Sequence, residues 1–354
     1  MHTCDKSKLI RISKTVLICG LVLYLGYIIL FSDSNCRSSF RLKWAPFNSL
    51  SNVAQSKRVT NIRHLLFGLL GSEKAWHHRK SYIESWWRPN VTKGYLLLDI
   101  PPKGDLLPWS SKSPPYKIYD EVSKLVSETK HVDATVLRLV HGIMEVYREE
   151  HEGVRWLVMG DDDSIIFLDN MVEILAQYDH TKYYYFGGHS EFILSNYWYS
   201  FNQGFGGAGF ILSYPLAKAL AKDMVNCLKR YNYMNAADKT TMTCIADIGV
   251  HLSPLQGIHQ IDLGGDLSGF LSSYPKSLLM SLHHFDMVDP IFPSLDRAQS
   301  VFHLENAAQY DQSRACYNKS YVITGLKAGN FQFLGDTPLI FMRKLCQEVG
   351  YKDQ

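Results

Sequence analysis

Three consecutive aspartates, Asp161–Asp163, follow the hydrophobic strand-like segment Val154–Met159 and Gly160. Adjacent carboxylates repel one another, so a bound cation would stabilise them, and their oxygens suit Mg²⁺ or Mn²⁺. In an extended backbone, Asp161 and Asp163 point to one side and Asp162 to the other. The pattern indicates a divalent-metal site that could also grip a diphosphate. A solvated acidic turn, or carboxylates placed at the N-terminus of a following helix, is the simpler alternative.

A second candidate is the glycine-rich segment Gly206-Gly207-Ala208-Gly209. Glycines allow a backbone to approach a ligand closely and to present N–H groups to it. The segment could therefore line a ligand cleft, and it could equally be a tight turn between two strands.

Strand-like and helix-like segments, which would position these groups, alternate along the chain. The helix predicted after Gly71 begins with Ser72 as its N-cap, and another begins with Asp133. Such alternation predicts βαβ units, a mainly parallel sheet and ligand binding beyond the carboxyl ends of the strands. The predicted strands are His64–Leu70, Gly94–Ile100, Val154–Met159, Lys182–Phe186 and the end of Gly204–Leu212, and the predicted helices are Ser72–Trp87, Asp133–Glu150, Asp169–Tyr178 and Pro215–Lys229.

The net charge of +3 is concentrated at the amino terminus, because residues 1–14 hold four basic residues and one acidic residue. The rest of the 354-residue chain is neutral, which argues against nucleic-acid binding. The uncharged apolar run Val16–Phe31 predicts, with Thr15, a membrane anchor that leaves the basic tail in the cytosol and the body in the lumen. A cleaved signal peptide is the alternative.

Cysteines and glycosylation sequons bear on the compartment. The sequons begin at Asn90 and Asn318, and four of the 7 Cys lie in the body. We consider a Cys227–Cys244 disulfide and four buried free thiols as competing interpretations. No Cys or His spacing typical of zinc occurs.

Longer motifs resemble a known family. Trp156–Asp163 resembles the W-[FY]-x-x-x-D-D-D segment of Fringe-like glycosyltransferases (glycosyltransferase family thirty-one), and Gly206–Phe210 resembles their GGAGF turn. The chain resembles most the plant branch of that family, long labelled a domain of unknown function, over roughly residues 60–300. The stretches that carry this resemblance are Ser85–Asn90, Tyr214–Ala221, Ser281–Asp286 and Asp289–Pro293.

The resemblance implies a GT-A (Rossmann-like nucleotide-diphospho-sugar transferase) fold, a UDP-sugar donor, Mn²⁺ or Mg²⁺, and inversion at the anomeric carbon. It also implies a type II Golgi membrane protein with a glycan or glycoprotein acceptor. His283 is expected to complete the metal site, whereas His284 is interpreted as an ordinary histidine. The implied metal ligands are Asp162, Asp163 and His283, and the implied donor-binding residues are Asp99, Asp161, Asp162, Gly206, Gly207, Ala208 and Gly209. Capping of the turn at Pro101 is an equal explanation for Asp99.

The general base is the position at which this chain departs from the family. Fringe-like enzymes place an acidic pair four to five residues before a glycine, where this chain has Cys244 and Ile245. Asp247, two residues before Gly249, is therefore the predicted base, with a helix cap as the alternative. Asp238 is a weaker candidate.

These interpretations give the following expected organisation: a cytosolic tail at 1–14, a transmembrane anchor at 15–31, a stem at 32–60, a GT-A domain at 61–300 and an extension at 301–354. Tyr321–Thr324 and Phe331–Leu334 are predicted to form a hairpin that packs on the main domain. The alternative function is a non-catalytic luminal protein that binds nucleotide-sugar or glycan. A phosphatase of the haloacid-dehalogenase type is a distant alternative, because at least two predicted strands precede the aspartates.

Overall fold

The computed structural model describes residues 60–119, 122–149, 152–266, 277–290, 292 and 295–310. The predicted tail, the anchor, nearly all of the stem and the predicted hairpin lie outside these residues. Among the described helices, none combines the length and the apolar composition that crossing a bilayer requires.

A seven-stranded sheet forms the centre of the fold. Its strands are β1 Leu65–Leu70, β2 Lys93–Leu98, β3 Tyr116–Ile118, β4 Trp156–Asp161, β6 Tyr185–Gly187, β7 Phe210–Ser213 and β8 Leu252–Pro254. Their order in the sheet is β3-β2-β1-β4-β7-β6-β8. Strands β1 to β4 pair in parallel, β7 runs antiparallel to both β4 and β6, and β8 is parallel to β6. The predicted mainly parallel α/β sheet is therefore confirmed.

Helices cover both faces of this sheet. The Ser72 hydroxyl accepts a hydrogen bond from the Ala75 N–H and caps the first helix, and Asp133 accepts bonds from Thr135 and Val136 at the start of the third, as predicted. The helices are α1 Glu73–Trp86, α2 Val122–Thr129, α3 Ala134–Glu149, α4 Leu168–Leu175, α5 Ile193–Trp198, α6 Tyr214–Arg230, α7 Ala237–Asp247 and α8 Arg297–Tyr310. Helix α8 spans the expected boundary at residue 300 and packs against α1.

The central strands are apolar throughout because each face of the sheet meets its own hydrophobic core. In β4, Trp156 and Val158 enter one core while Leu157 and Met159 enter the other, and all four are essentially inaccessible to solvent. This two-sided burial fixes the direction in which the strand delivers the residues at its end.

A small second sheet crosses the carboxyl end of β4. It consists of β5 Ile165–Ile166, β10 Ser281–Leu282 and β9 Ile258–His259, with β10 antiparallel to β5 and parallel to β9. Away from it, a disulfide between Cys227 and Cys244 joins α6 to α7, so the predicted pairing is confirmed.

Candidate metal centre and adjoining cleft

Strand pairing brings together residues that are far apart in sequence. Asp161 ends β4, Asp162 and Asp163 lead into β5, and His283 follows β10. Because Leu282 pairs with Ile165 in antiparallel register, His283 continues the chain toward Ser164 and the aspartates that precede it.

Asp161, Asp163 and His283 form a cluster whose potential ligand atoms all lie within 4.8 Å of one another. His283 Nε2 is 3.1 Å from Asp163 Oδ1 and 3.8 Å from Asp161 Oδ2. The side chain of Asp163 is 1% exposed, whereas that of Asp161 is 37% exposed, so the cluster is accessible from one side. Two carboxylates and one imidazole suit Mn²⁺ or a similar divalent cation.

The two carboxyls of the cluster differ electrostatically. Burial, reinforced by the charges of Asp163, Asp238 and Asp162, raises the pKa of Asp161 well above its usual value. Burial opposes ionisation of Asp163 too, but the hydrogen bond with His283 and the charges of His283 and Arg79 lower its pKa. The cluster therefore holds one stable carboxylate and one that a cation would help to ionise.

Asp162 points away from this cluster, so the structure does not place it among the metal ligands that the resemblance implied. Its Oδ1 accepts a hydrogen bond from the Arg79 guanidinium at 2.8 Å, and its Oδ2 accepts one from the Ser72 N–H at 3.3 Å. Arg79 also pairs with Asp163 Oδ2 at 3.2 Å and with Asp286 at 2.7 Å. Burial raises the pKa of Asp162 despite the guanidinium.

Hydrogen bonds fasten the glycine turn to this centre. Ser164 Oγ donates to the Gly207 carbonyl at 2.6 Å and accepts from the Asp161 N–H at 2.7 Å. The Ala208 N–H donates to Gln260 Oε1 at 3.1 Å, and the Ala208 carbonyl accepts from Ser281. The turn is in such close contact with the His283 ring that a side chain at Gly207 would overlap it.

Asp238, in the first turn of α7, adds a carboxyl on the other side of the turn. It accepts a hydrogen bond from the Gly206 N–H at 3.0 Å. Burial, assisted by the charge of Asp262, raises its pKa to about 6, although the Gly206 N–H and His283 oppose the rise. A half-buried carboxylate that loses its proton near neutral pH is suited to general-base chemistry.

Asp247 lies at the opposite end of α7, nine residues or roughly 13 Å along the helix axis from Asp238. Its carboxylate contacts Arg230, with N···O distances of 2.6 and 3.0 Å, and accepts a hydrogen bond from the Tyr231 hydroxyl at 2.7 Å. The structure therefore places the predicted base in a separate ion-pair cluster, away from the aspartates and His283.

Asp99 and His284 make local contacts of their own. Asp99 Oδ1 accepts from the Glu73 N–H at 2.8 Å and from the Ile100 N–H at 3.0 Å, which ties the end of β2 to the start of α1. His284 Nδ1 lies 2.8 Å from Asp262 Oδ1, and its ring stacks on that of His283. Neither residue is part of the three-residue cluster.

A mainly parallel α/β sheet with a carboxylate–imidazole cluster beyond a central strand defines a class, an α/β domain with a candidate divalent-metal centre. A family described as "Protein of unknown function, DUF604" matches residues 195–324, which include the glycine turn, α7 and His283. No curated protein sequence matches the chain.

Several solved structures are similar to the chain at low sequence identity. A mannosyltransferase from Pyrobaculum calidifontis, in complex with GDP-Man and Mn²⁺, is 13% identical with a TM-score of 0.35, over 83% of this chain and 82% of that one. Core-mannan synthase A from Aspergillus fumigatus, in its Mn/GDP form, is 8% identical with a TM-score of 0.34, over 55% and 73%. Mouse xyloside xylosyltransferase 1 is 12% identical with a TM-score of 0.31, over 55% and 85%.

Proposed function

We propose that the protein is a metal-dependent glycosyltransferase of the Fringe-like type, which moves a sugar from a UDP-sugar to a glycan or glycoprotein hydroxyl with inversion. The observation that carries the proposal is the cluster of Asp161, Asp163 and His283 beside the Gly206–Gly209 turn. These are the parts that the sequence motifs led us to expect in a donor site, and they converge from three separate segments of the chain. Asp238 faces the same turn and supplies the carboxylate that a purely binding protein would not require.

The residues divide the chemistry between them. Asp161, Asp163 and His283 would hold Mn²⁺ or Mg²⁺, which when bound neutralises charge on a diphosphate. Asp238 takes the proton of the acceptor hydroxyl as that oxygen forms its bond to the anomeric carbon. The bond between that carbon and the UDP oxygen breaks, and UDP leaves with the electron pair. Arg79 pairs with Asp162 and Asp286 and so offsets part of the negative charge that the incoming diphosphate meets.

The proposed setting is the Golgi lumen, with the chain anchored through residues 15–31 as a type II protein. The disulfide between Cys227 and Cys244 supports an oxidising compartment. The basic tail ahead of the apolar run supports the orientation. Microscopy of the tagged protein, with protease protection of the tag, tests both.

The central test is titration of the full-length protein with UDP in the presence and absence of Mn²⁺, followed by incubation with UDP-glucose, UDP-galactose and their N-acetylhexosamine counterparts. We expect Mn²⁺-dependent UDP binding and slow hydrolysis of one donor. Both should be lost in Asp163→Asn and kept in Asp169→Asn, which alters an exposed carboxylate paired with Arg88. UDP binding without turnover of any donor would favour the binding-protein alternative, and metal-independent binding would overturn the metal site.

A second comparison separates the two candidate bases. Asp238→Asn should lower the rate of transfer by about 10²- to 10⁴-fold while leaving Mn²⁺-dependent UDP binding intact. Asp247→Asn changes the partner of Arg230 at the far end of the same helix. The rate of transfer by this variant should stay close to that of wild type. The reverse ranking would return the role of base to Asp247.

A further inference from the structure

Among the described residues, one segment, called here the aromatic surface, carries six exposed large apolar side chains close together in sequence. It comprises α5 and the residues that follow it, and Tyr197 is 74% exposed, Trp198 61% and Phe201 52%. Folded proteins rarely leave several large aromatic and aliphatic side chains exposed next to one another unless that surface binds something. The exposed side chains of this surface are Ile193, Leu194, Tyr197, Trp198, Tyr199 and Phe201.

Internal contacts hold the aromatic surface in one arrangement. The ring of Trp198 packs edge-on against Phe192, and that of Phe201 packs edge-on against His189, whose Nε2 also bonds to the Phe201 carbonyl at 2.9 Å. Asn196 is 2% exposed and bonds through its side chain to the backbone N–H and C=O of Ser190. The aromatic faces are therefore ordered while they remain open to solvent, which lowers the entropic cost of binding.

The aromatic surface is continuous with the metal centre. The Ser190 hydroxyl donates to Asp262 at 2.5 Å, and Asp262 pairs with His284, the neighbour of His283. On the other side, Tyr199 packs against Phe205, the residue directly before Gly206. The segment that carries the aromatic residues is thus tied at both ends to residues that surround the cleft.

The chemistry of the segment indicates what it would bind. Residues 192–217 contain no acidic, basic or histidine side chain. A membrane surface or a charged protein partner would normally meet lysine or arginine at such a site. Here the apolar rings alternate with hydroxyl and amide groups, as in Tyr197, Tyr199 and Asn202. Pyranose rings offer the complementary chemistry, an apolar C–H face to stack on an aromatic ring and hydroxyls for the polar groups.

We propose that the aromatic surface is the acceptor subsite and binds a neutral oligosaccharide, with one or more sugar rings stacked on Tyr197 and Trp198. The proposal rests on the proposed glycosyltransferase function, because it gives the acceptor for the same site. It adds a chemical class, an uncharged glycan at least several sugars long, which reaches the cleft along α5.

The test uses the full-length protein and neutral hexasaccharides of glucose, xylose, mannose and galactose as probes, read by quenching of tryptophan fluorescence and by saturation-transfer NMR. We expect one of the probes to bind, and Trp198→Ala and Tyr197→Ala each to weaken its binding by about tenfold. The control is Tyr233→Ala, which replaces a similarly exposed tyrosine (66%) outside the aromatic surface and should leave glycan binding unchanged. Mn²⁺-dependent UDP binding, measured in the same preparations, should be equal in all four proteins.

The outcomes separate this proposal from the function on which it rests. Wild-type protein that binds UDP with Mn²⁺ but none of the four probes would overturn the acceptor subsite alone. The acceptor subsite would also be overturned if Trp198→Ala left glycan binding intact but abolished binding to phosphatidylcholine vesicles or abolished self-association. The partner of the aromatic surface would then be a membrane or a second copy of the chain. Failure of UDP binding with glycan binding retained would instead overturn the proposed donor chemistry.

Discussion

Two adjacent glycines allow the metal ligand and the candidate base to be perturbed separately. A Cβ atom at Gly207 would lie 2.5 Å from Nδ1 of His283, with the other two nearest ring atoms closer still, whereas one at Gly206 would lie 2.5 Å from Oδ1 of Asp238. Neither glycine has a left-handed backbone, so alanine adds a steric contact without backbone strain. Gly207→Ala should therefore act on the metal site and Gly206→Ala on the base.

The contact between a Cβ atom at Gly207 and the His283 ring sets the size of the expected loss of Mn²⁺ affinity. Ordinary van der Waals contact begins at 3.4 Å, so the His283 ring must move by more than 0.9 Å, the difference between 3.4 and 2.5 Å. Metal–ligand distances tolerate only about 0.2 Å, and overpacking a buried site costs roughly 1–3 kcal/mol. If that cost falls on the metal-bound state, the affinity for Mn²⁺ drops by about 5- to 150-fold.

Calorimetric titration of each variant with Mn²⁺, followed by donor-transfer kinetics, measures both effects. We expect Gly207→Ala to lose affinity for Mn²⁺ over that range. Gly206→Ala should bind Mn²⁺ within about twofold of wild type but transfer more slowly, because its new methyl group displaces the Asp238 carboxylate. If Gly207→Ala binds Mn²⁺ as wild type does, His283 is not a ligand and the reasoning fails. If Gly206→Ala alone loses the metal, the two roles have been assigned the wrong way round.

Three further predictions concern stability and pH. Replacing Cys227 and Cys244 together by serine removes a cross-link between residues 17 apart and should lower the free energy of unfolding by about 3 kcal/mol relative to oxidised wild type, measured by urea denaturation; reduced wild type should unfold like the variant. Arg79→Met leaves the buried carboxylate of Asp162 without its cation and should cost roughly 3 kcal/mol, and added Mn²⁺ should raise its Tm more than that of wild type. Transfer needs the deprotonated form of Asp238, so its rate should rise with pH through an apparent pKa of about 6, or lower with Mn²⁺ bound; a rate that falls over this range would contradict the assignment.

Local patterns in the sequence were sufficient to predict the mainly parallel sheet and the sides to which the three aspartate side chains point. Period-two geometry predicts that Asp161 and Asp163 share a side and that Asp162 faces the other, which is how the three side chains lie. The resemblance pointed instead to Asp162 as a ligand, because a motif gives the position of a residue but not the arginine that pairs with it. Arg79, 83 residues away on α1, could be placed against Asp162 only by the packed fold.

Long-range geometry also explains why the sequence and the structure favour different candidate bases. Asp238 and Asp247 share one helix, and sequence spacing relative to Gly249 favoured the latter. The hydrogen bond from the Gly206 N–H to Asp238 places the amino-terminal end of α7 beside the cleft. The two residues are 32 positions apart, so no short-range signal in the sequence encodes this contact. His283, 120 residues from Asp163, was accessible only through the family motif.

The charges around the cleft suggest why the metal and the donor should bind together. Among the described residues, Arg79 and His283 offset only part of the charge of the acidic groups that converge there, so the metal-free site keeps negative charge that would repel a diphosphate. Because Arg79 is committed to carboxylates on the side of α1, it cannot substitute for a cation between Asp161, Asp163 and His283. We therefore expect donor affinity to follow Mn²⁺ occupancy, with Arg79 holding the acidic wall together and the metal alone making the cleft receptive to UDP. The converging acidic residues are Asp161, Asp162, Asp163, Asp238 and Asp286.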